Sequence, residues 1–286
     1  MTAVDIGLPR LSGEPLEHAG RVTRALGSPA RLGVAFSGGV DSSTLLALAV
    51  RALGPDRTLA ILGVSPSLAT DERSAAHEVA RHIGVPLVEV ETHEGADPRY
   101  RANGPDRCYF CKDELFTRIS DEVADRFGLT AVAYGENADD ARRPDRPGAG
   151  AARRHAVLRP LADAGMTKLH VRAVARALAL PCADKPAAPC LASRIPHHQE
   201  VTPEKLAQVD RAESALRALG LADCRVRHHG DVARVELTDA DLDRLTDPQL
   251  RRAVLDGVRA AGFRFVAVDL AGIQSGAFTL PLVTRG

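Results

Sequence analysis

Short apolar runs alternate with longer helical stretches along most of this chain. The run from Leu32 to Phe36 stops at Ser37-Gly38-Gly39-Val40-Asp41-Ser42-Ser43, and Thr44 to Leu53 is then apolar enough to be a core-facing helix. The order is strand, glycine turn, helix. The pattern recurs with strands at Leu59 to Val64, Pro86 to Val90 and Ala131 to Tyr134, and with helices at about Asp71 to Ile83 and Cys108 to Phe127. Strands alternating with helices of this length predict right-handed crossovers and a parallel sheet covered on both faces, a doubly wound α/β domain.

From Gly135 to Gly165 the chain turns rich in Asp, Arg, Pro and Gly, including Arg142-Arg143-Pro144-Asp145-Arg146-Pro147-Gly148, which predicts a long mobile loop of the kind that serves a site. A helix at Lys168 to Leu178 leads into the proline-interrupted stretch Pro181 to Cys190, where regular structure is forbidden and the domain junction is expected. Beyond it the pattern predicts a helix at Pro203 to Leu219 and strands at Cys224 to Arg227 and Ala233 to Leu237 around a His228-His229-Gly230-Asp231 turn. A helix at Pro248 to Ala261 and a strand at Arg264 to Leu270 follow. We therefore expect a first domain over residues 1–186 and a smaller α+β domain over 187–286.

Composition narrows the class. With 286 residues and 45% hydrophobic content the chain can bury an ordinary core, and 37 basic against 37 acidic residues leave no global field for nucleic acid or an anionic membrane. No export signal or membrane-length apolar stretch is visible, so a cytoplasmic protein is expected. Five cysteines, an odd number, then argue for reduced thiols that bind metal or do chemistry rather than for a disulfide framework.

Ser37, Gly38, Gly39, Asp41, Ser42 and Ser43 fit a phosphate cradle. Glycines let backbone N–H groups approach an anion, hydroxyls add donors, and the next helix presents its positive end. Asp41 can hold magnesium or set the loop. The Gly-Lys-Ser/Thr ending of a Walker A loop is missing, and the glycine spacing is wrong for a dinucleotide fingerprint. The blander reading is a glycine-rich turn capped by serines; the position between strand and helix favours nucleotide binding.

The hexapeptide Ser37 to Ser42 resembles the signature of the PP-loop ATP pyrophosphatases, which split ATP between its α and β phosphates. Three further segments narrow the likeness: Arg107-Cys108-Tyr109-Phe110-Cys111-Lys112, Gly135-Glu136-Asn137-Ala138-Asp139-Asp140, and Asp184-Lys185-Pro186 running to Cys190-Leu191-Ala192-Ser193-Arg194-Ile195-Pro196. Together they resemble the LarE family of sulfur transferases from about Leu32 to the region of Gly276. The resemblance implies ATP and Mg2+, a pyridinium biscarboxylate mononucleotide as substrate on the way to the nickel-pincer cofactor of lactate racemase, and a homo-oligomer. Departures are Glu136, where a small hydroxyl residue is expected, and the basic run Arg153-Arg154-His155.

A carboxylate is a poor electrophile, and transfer of AMP gives it a leaving group that a thiolate or sulfide can displace. Cys190 is the expected sulfur site, and Asp41, Asp139 and Asp140, beside Asn137, are candidate magnesium ligands or charge organisers. Cys108 and Cys111 form a CxxC pair which, with Cys190, makes three ligands. Three thiolates on a 4Fe-4S cluster leave one iron open for an extra sulfide, whereas structural zinc wants four closed ligands. The resemblance implies two modes, a lone cysteine that surrenders its own sulfur and leaves dehydroalanine, or a three-cysteine cluster, and this chain matches the second. Cys182 is open as a fourth ligand that would close the cluster, but it reads more simply, like Cys224, as a buried residue. Lys185, Ser193 and Arg194 flank the cysteine and can neutralise phosphates or lower its pKa. Glu213, Arg225 and Arg227 match positions the family uses near the sulfur site; period two sets the arginines side by side, where they can grip a phosphate or carboxylate.

Three rival readings remain at this level. A PP-loop tRNA thiolase needs an RNA-binding surface, which neutral charge and 3% aromatic residues do not suggest. An ammonia-using PP-loop ligase would leave the cysteines idle, and a scaffold with a dead loop would not bind ATP. The source of sulfide, a desulfurase or another donor protein, is open.

Overall fold

The computed structural model describes residues 7–143 and 147–273. Pro144, Asp145 and Arg146 of the expected loop, and the tail around Gly276, lie outside the described residues. In chain order the elements are α1 (Gly13–Leu26), β1 (Leu32–Ala35), α2 (Val40–Leu53), β2 (Thr58–Val64), α3 (Thr70–Ile83), β3 (Leu87–Glu91), α4 (Pro98–Arg101) and α5 (Arg107–Arg118). After a π turn at Ile119–Ala124 come α6 (Asp125–Phe127), β4 (Ala131–Tyr134), α7 (Ala138–Ala141), α8 (Gly148–Arg154), α9 (Pro160–Asp163) and α10 (Lys168–Ala177). The chain then runs through α11 (Pro203–Ala218), β5 (Cys224–His229), β6 (Val232–Leu237), α12 (Asp239–Arg244), α13 (Pro248–Ala260) and β7 (Phe265–Val268).

Two compact units result. The first holds Met1–Ser65, Glu72–Glu94 and Cys108–Ala188; the second holds Pro66–Asp71, Gly95–Arg107 and Pro189–Gly286. The segments 66–71 and 95–107, which the sequence places in the first domain, thus belong to the second unit.

The first unit is α/β, with an all-parallel sheet in the order β3-β2-β1-β4. Strand order reverses between β1 and β4, so a crevice opens at the carboxyl ends of these two strands, the place where open α/β sheets bind ligands. Helix α2 is buried almost all round, from Ser42 to Val50 and at Leu53, because it packs on β1 and β2 and is covered by α1 and α10. Another face of the sheet carries a core of Leu59, Ile61, Val90, Phe116, Ile119 and Val123.

Two expectations are corrected here. The stretch from Gly135 to Gly165 is not one long loop. It carries α7, α8 and α9, and Leu158 joins β4 through the Tyr134 N–H to Leu158 carbonyl bond (2.9 Å) and the Leu158 N–H to Val132 carbonyl bond (2.8 Å). Its glycines and prolines act as helix punctuation rather than as breakers: Pro160 opens α9, and Ala151 and Ala152 of α8 are small enough to pack into the core beside Phe116. In the second unit the predicted four-residue turn is tighter, since His228 and His229 complete β5. His228 is buried against Phe263 and His229 is exposed, opposite faces of one strand. The rest of this unit is the expected α+β arrangement, a three-stranded sheet β5-β6-β7 with β5 antiparallel and β7 parallel to β6, backed by α11 and α13.

Candidate active site

Gly38 has φ +71°, a left-handed conformation that favours glycine, and a β-carbon there would stand 2.9 Å from the Ala76 Cα. The turn closes on itself: the Ser37 amide donates to Ser42 Oγ (3.2 Å), and that hydroxyl donates to the Gly39 carbonyl (3.1 Å). Gly39 then caps α2, whose first amides have no partner within the helix, the arrangement that suits an anion. Ser37 is exposed at the rim. Ser43, expected among the phosphate ligands, is fully buried.

Asp41 joins three distant parts of the chain. Its carboxylate accepts from Asn137 Nδ2 (3.1 Å) and from Lys168 Nζ (2.5 Å). Asn137 caps α7 by accepting from the amides of Asp139 and Asp140 (3.0 Å each) and also donates to Asp140 Oδ2 (3.0 Å). The Lys168 amide, at the start of α10, donates to Asp139 Oδ2 (2.8 Å). The predicted Asp41, Asn137, Asp139 and Asp140 are therefore brought together at the sheet's switch point. Lys168 was not distinguishable from a surface residue by sequence; its position directly after the Thr167 cap was the available signal.

Gly135 lets these parts meet. A β-carbon there would lie 2.6 Å from the Ser42 nitrogen and 2.8 Å from its Cα, both backbone atoms of the loop helix. Gly135→Ala is expected to cost about 1–3 kcal/mol in stability and, by displacing the cradle, roughly 10²-fold in ATP-dependent turnover. Equilibrium denaturation and pyrophosphate release check both; turnover at the level of the unaltered protein would show that the close approach is dispensable.

Lys185 is occupied by Glu72 (2.7 Å), and Arg172 holds the carbonyls of Ala183 and Lys185 (2.7 and 2.9 Å). The proline-rich segment before Cys190 is thus pinned within the first unit.

In the second unit Cys190 is exposed and caps a short 3-10 turn, Leu191–Arg194. The loop around it is held by side-chain donors on its carbonyls. Arg194 Nη1 bonds Pro189, Arg107 Nη1 bonds Ala192 (2.8 Å each) and Arg227 Nη1 bonds Ser193 (3.0 Å). Asn103 Nδ2 bonds Ile195 and Pro196 (3.2 and 2.8 Å) from the left-handed conformation that asparagine tolerates. Arg107 and Asn103 were missed as site residues, although Arg107 opens the first cysteine motif.

Glu213 is 1% exposed. It accepts from Arg194 (2.8 and 3.2 Å), from Arg217 (3.2 Å) and from the Val226 amide (3.0 Å). Arg227 forks onto buried Glu236 (2.9 and 2.8 Å), and Arg225 pairs with Asp223 (2.6 Å). The two arginines share a strand face as expected, but both are engaged by protein carboxylates rather than held out as an empty fork.

The five cysteines divide by burial. Cys108 and Cys190 are exposed and Cys111 half-buried, whereas Cys182 and Cys224 are buried. Burial raises the Cys182 thiol, and burial reinforced by the Glu213 charge pushes Cys224 up to about 12. Iodoacetamide at pH 8 is therefore expected to label Cys108 and Cys190 first and to spare Cys182 and Cys224 in the reduced, cluster-free protein; peptide mass mapping reads this, and early labelling of Cys224 would contradict it.

Among the described residues, the one group of three metal-capable side chains within 4.8 Å of one another is Glu14, His18 and His170. His18 Nδ1 accepts from Arg21 and His170 Nδ1 from the Thr167 amide (3.3 Å). His18 Nε2 lies 3.1 Å from Glu14 and His170 Nε2 4.0 Å from it, so of the two rings only His18 is within hydrogen-bond distance of the carboxylate.

A parallel α/β sheet with this glycine turn at its switch point defines a PP-loop nucleotide-using enzyme. The asparagine synthase family model matches residues 16–118. An uncharacterised protein of Synechocystis is 41% identical, covering 85% of this chain and 90% of that one. The pyridinium-3,5-bisthiocarboxylic acid mononucleotide synthase of Lactiplantibacillus plantarum is 34% identical, covering 86% of this chain and 88% of that one. A glutamine-hydrolysing GMP synthase of Thermomicrobium roseum is 32% identical over 73% of this chain and 44% of its own length. The chain belongs to the LarE family of ATP-dependent sulfur transferases. Among the described residues no helix is long and apolar enough to cross a membrane.

Proposed function

We propose that this protein converts a carboxylate of pyridinium-3,5-biscarboxylate mononucleotide into a thiocarboxylate, for the nickel-pincer cofactor of lactate racemase, with ATP as activator. The observation that carries the reading is the convergence of Asp41, Asn137, Asp139 and Lys168 beside the glycine turn in a chain 34% identical to a synthase of the bisthiocarboxylic acid mononucleotide. The substrate carboxylate oxygen attacks the α-phosphorus of ATP, and the bond to the β-phosphate oxygen breaks with release of pyrophosphate. A sulfur nucleophile then attacks the acyl carbon and AMP leaves. The amides at the start of α2 bind phosphate oxygens, Lys168 and Asp41 set the charge around them, and Asp139 and Asp140 supply carboxylates for Mg2+, which neutralises charge as pyrophosphate departs. Glu213 acts through Arg194, holding the loop that presents Cys190.

Cys108, Cys111 and Cys190 are the proposed ligands of a 4Fe-4S cluster. What supports this choice of thiols is accessibility: Cys108 and Cys190 are exposed and Cys111 half-buried, whereas the other two are buried with raised pKa. Loaded, such a cluster would supply sulfide for the second half-reaction, with a donor protein as the proposed source. Residues 1–186 serve activation and 187–286 sulfur transfer and assembly of a cytoplasmic homo-oligomer. The test is the intact mass of anaerobically reconstituted protein after incubation with ATP, magnesium and the mononucleotide. Thiolated product with unchanged protein mass and matching AMP is expected; loss of the elements of hydrogen sulfide at Cys190 would overturn the cluster and establish sacrificial transfer, and absence of substrate-dependent pyrophosphate would overturn the activation itself.

A further inference from the structure

The basic run Arg153-Arg154-His155 and the unexpected Glu136 both find their place in the first unit, and they do different things. Arg154 and His155 are spent on Asp113 (3.2 and 2.9 Å), a surface ion-pair group. Arg153 is not. It is exposed and has no carboxylate partner among the described residues, and it lines a cavity of about 250 Å³ with Glu136, Asp140, Arg142, Arg143 and Arg159. Four guanidinium groups and two carboxylates line it; Arg142 also lies 4.0 Å from Asp139 and Arg159 3.3 Å from Asp163, so Arg153 brings the charge that these pairs do not offset.

Glu136 is 5% exposed and paired with Arg159 at 3.5 Å, while its Oε2 makes no hydrogen bond among the described residues. The 3.5 Å contact is from Arg159 Nη1 to Oε2 itself, a long ion pair that leaves this oxygen able to accept a shorter hydrogen bond from a ligand. Glu136 follows Gly135, whose backbone touches Ser42, and Asp140 is bonded to Asn137, so the cavity adjoins the crevice of the glycine turn. At about 250 Å³ it lies below the roughly 300–1,000 Å³ of sites that take whole drug-sized ligands, and it suits a fragment.

We propose that this cavity is a phosphoryl subsite, in which Arg153 and Arg159 bind a phosphate group and Glu136 accepts a hydroxyl donor carried by the same ligand or by its protonated phosphate. Two ligands of the reaction present this chemistry, the diphosphate released from ATP and the 5′-phosphate of the mononucleotide. The inference rests on the activation reading above and deepens it.

Isothermal titration of the full chain tests it, with inorganic pyrophosphate and nicotinic acid mononucleotide as separate probes and ATP with magnesium as a control. Arg153→Gln removes an exposed side chain without burying a lone charge, so folding is expected to be unaffected, and Arg153→Lys serves as the conservative variant. Loss of a charge-assisted contact is expected to weaken one probe about tenfold or more in Arg153→Gln, with partial recovery in Arg153→Lys and unchanged ATP affinity. The probe that weakens identifies the source of the phosphate. Equal affinity of both probes for Arg153→Gln and the unaltered protein, or no binding of either probe to the unaltered protein, overturns the subsite. Failure of the unaltered protein to bind ATP would instead overturn the activation reading.

Discussion

Cys190→Ala is expected to lower thiocarboxylate formation by on the order of 10³-fold or more while substrate-dependent pyrophosphate release persists, because the cysteine supplies or holds sulfur and takes no part in the attack on ATP. In the proposed reaction the two half-reactions draw on different parts of the chain. The phosphate cradle and its Asp41 network belong to the first unit, and Cys190 sits on the second. Quantifying pyrophosphate and thiolated product in the same reaction checks the split. Thiolation at the unaltered rate would show that Cys190 is dispensable, and an amide in place of the thiocarboxylate would revive an ammonia-using ligase of the same class, for which the cysteines are idle.

Glu213→Ala is expected to have the largest effect on stability, roughly 3–5 kcal/mol, since it strands buried charges instead of removing a pair. Arg194 is 3% exposed and loses its bidentate partner, Arg217 loses one carboxylate contact, and the Val226 amide loses its acceptor. Urea denaturation should show a lower midpoint with an unchanged slope. A loss below about 1 kcal/mol, the scale of a surface ion pair, would mean that the network is not carrying the loop. A milder variant, Arg217→Lys, is expected to be tolerated better, because Arg217 is 24% exposed at the side chain.

The strands of the first unit were legible because each is a short apolar run between polar turns, and β4 was read with its observed ends, Ala131 and Tyr134. The segment after it was not. Composition rich in Gly, Pro and Arg reads as loop, yet α8 forms because its alanines meet the core, a gain that no local propensity records. Lys168 was unreadable for a related reason. A lysine at a helix start looks like any surface lysine until the fold brings Asp41 to it.

By itself the sequence determined the class of protein, since alternating apolar strands and helices with a Ser-Gly-Gly-Val-Asp-Ser turn leave few alternatives. The tertiary structure alone decided which charged residues are spent. Arg225, Arg227 and Lys185 read as ligand-binding groups and Glu213 as a residue near the sulfur site in one dimension, and all four are engaged by protein partners in three. Arg153, which read only as excess charge, is the one left facing a cavity. The physical reason is that an ion pair depends on distances of a few ångströms between residues far apart in sequence, and only the packed fold sets them.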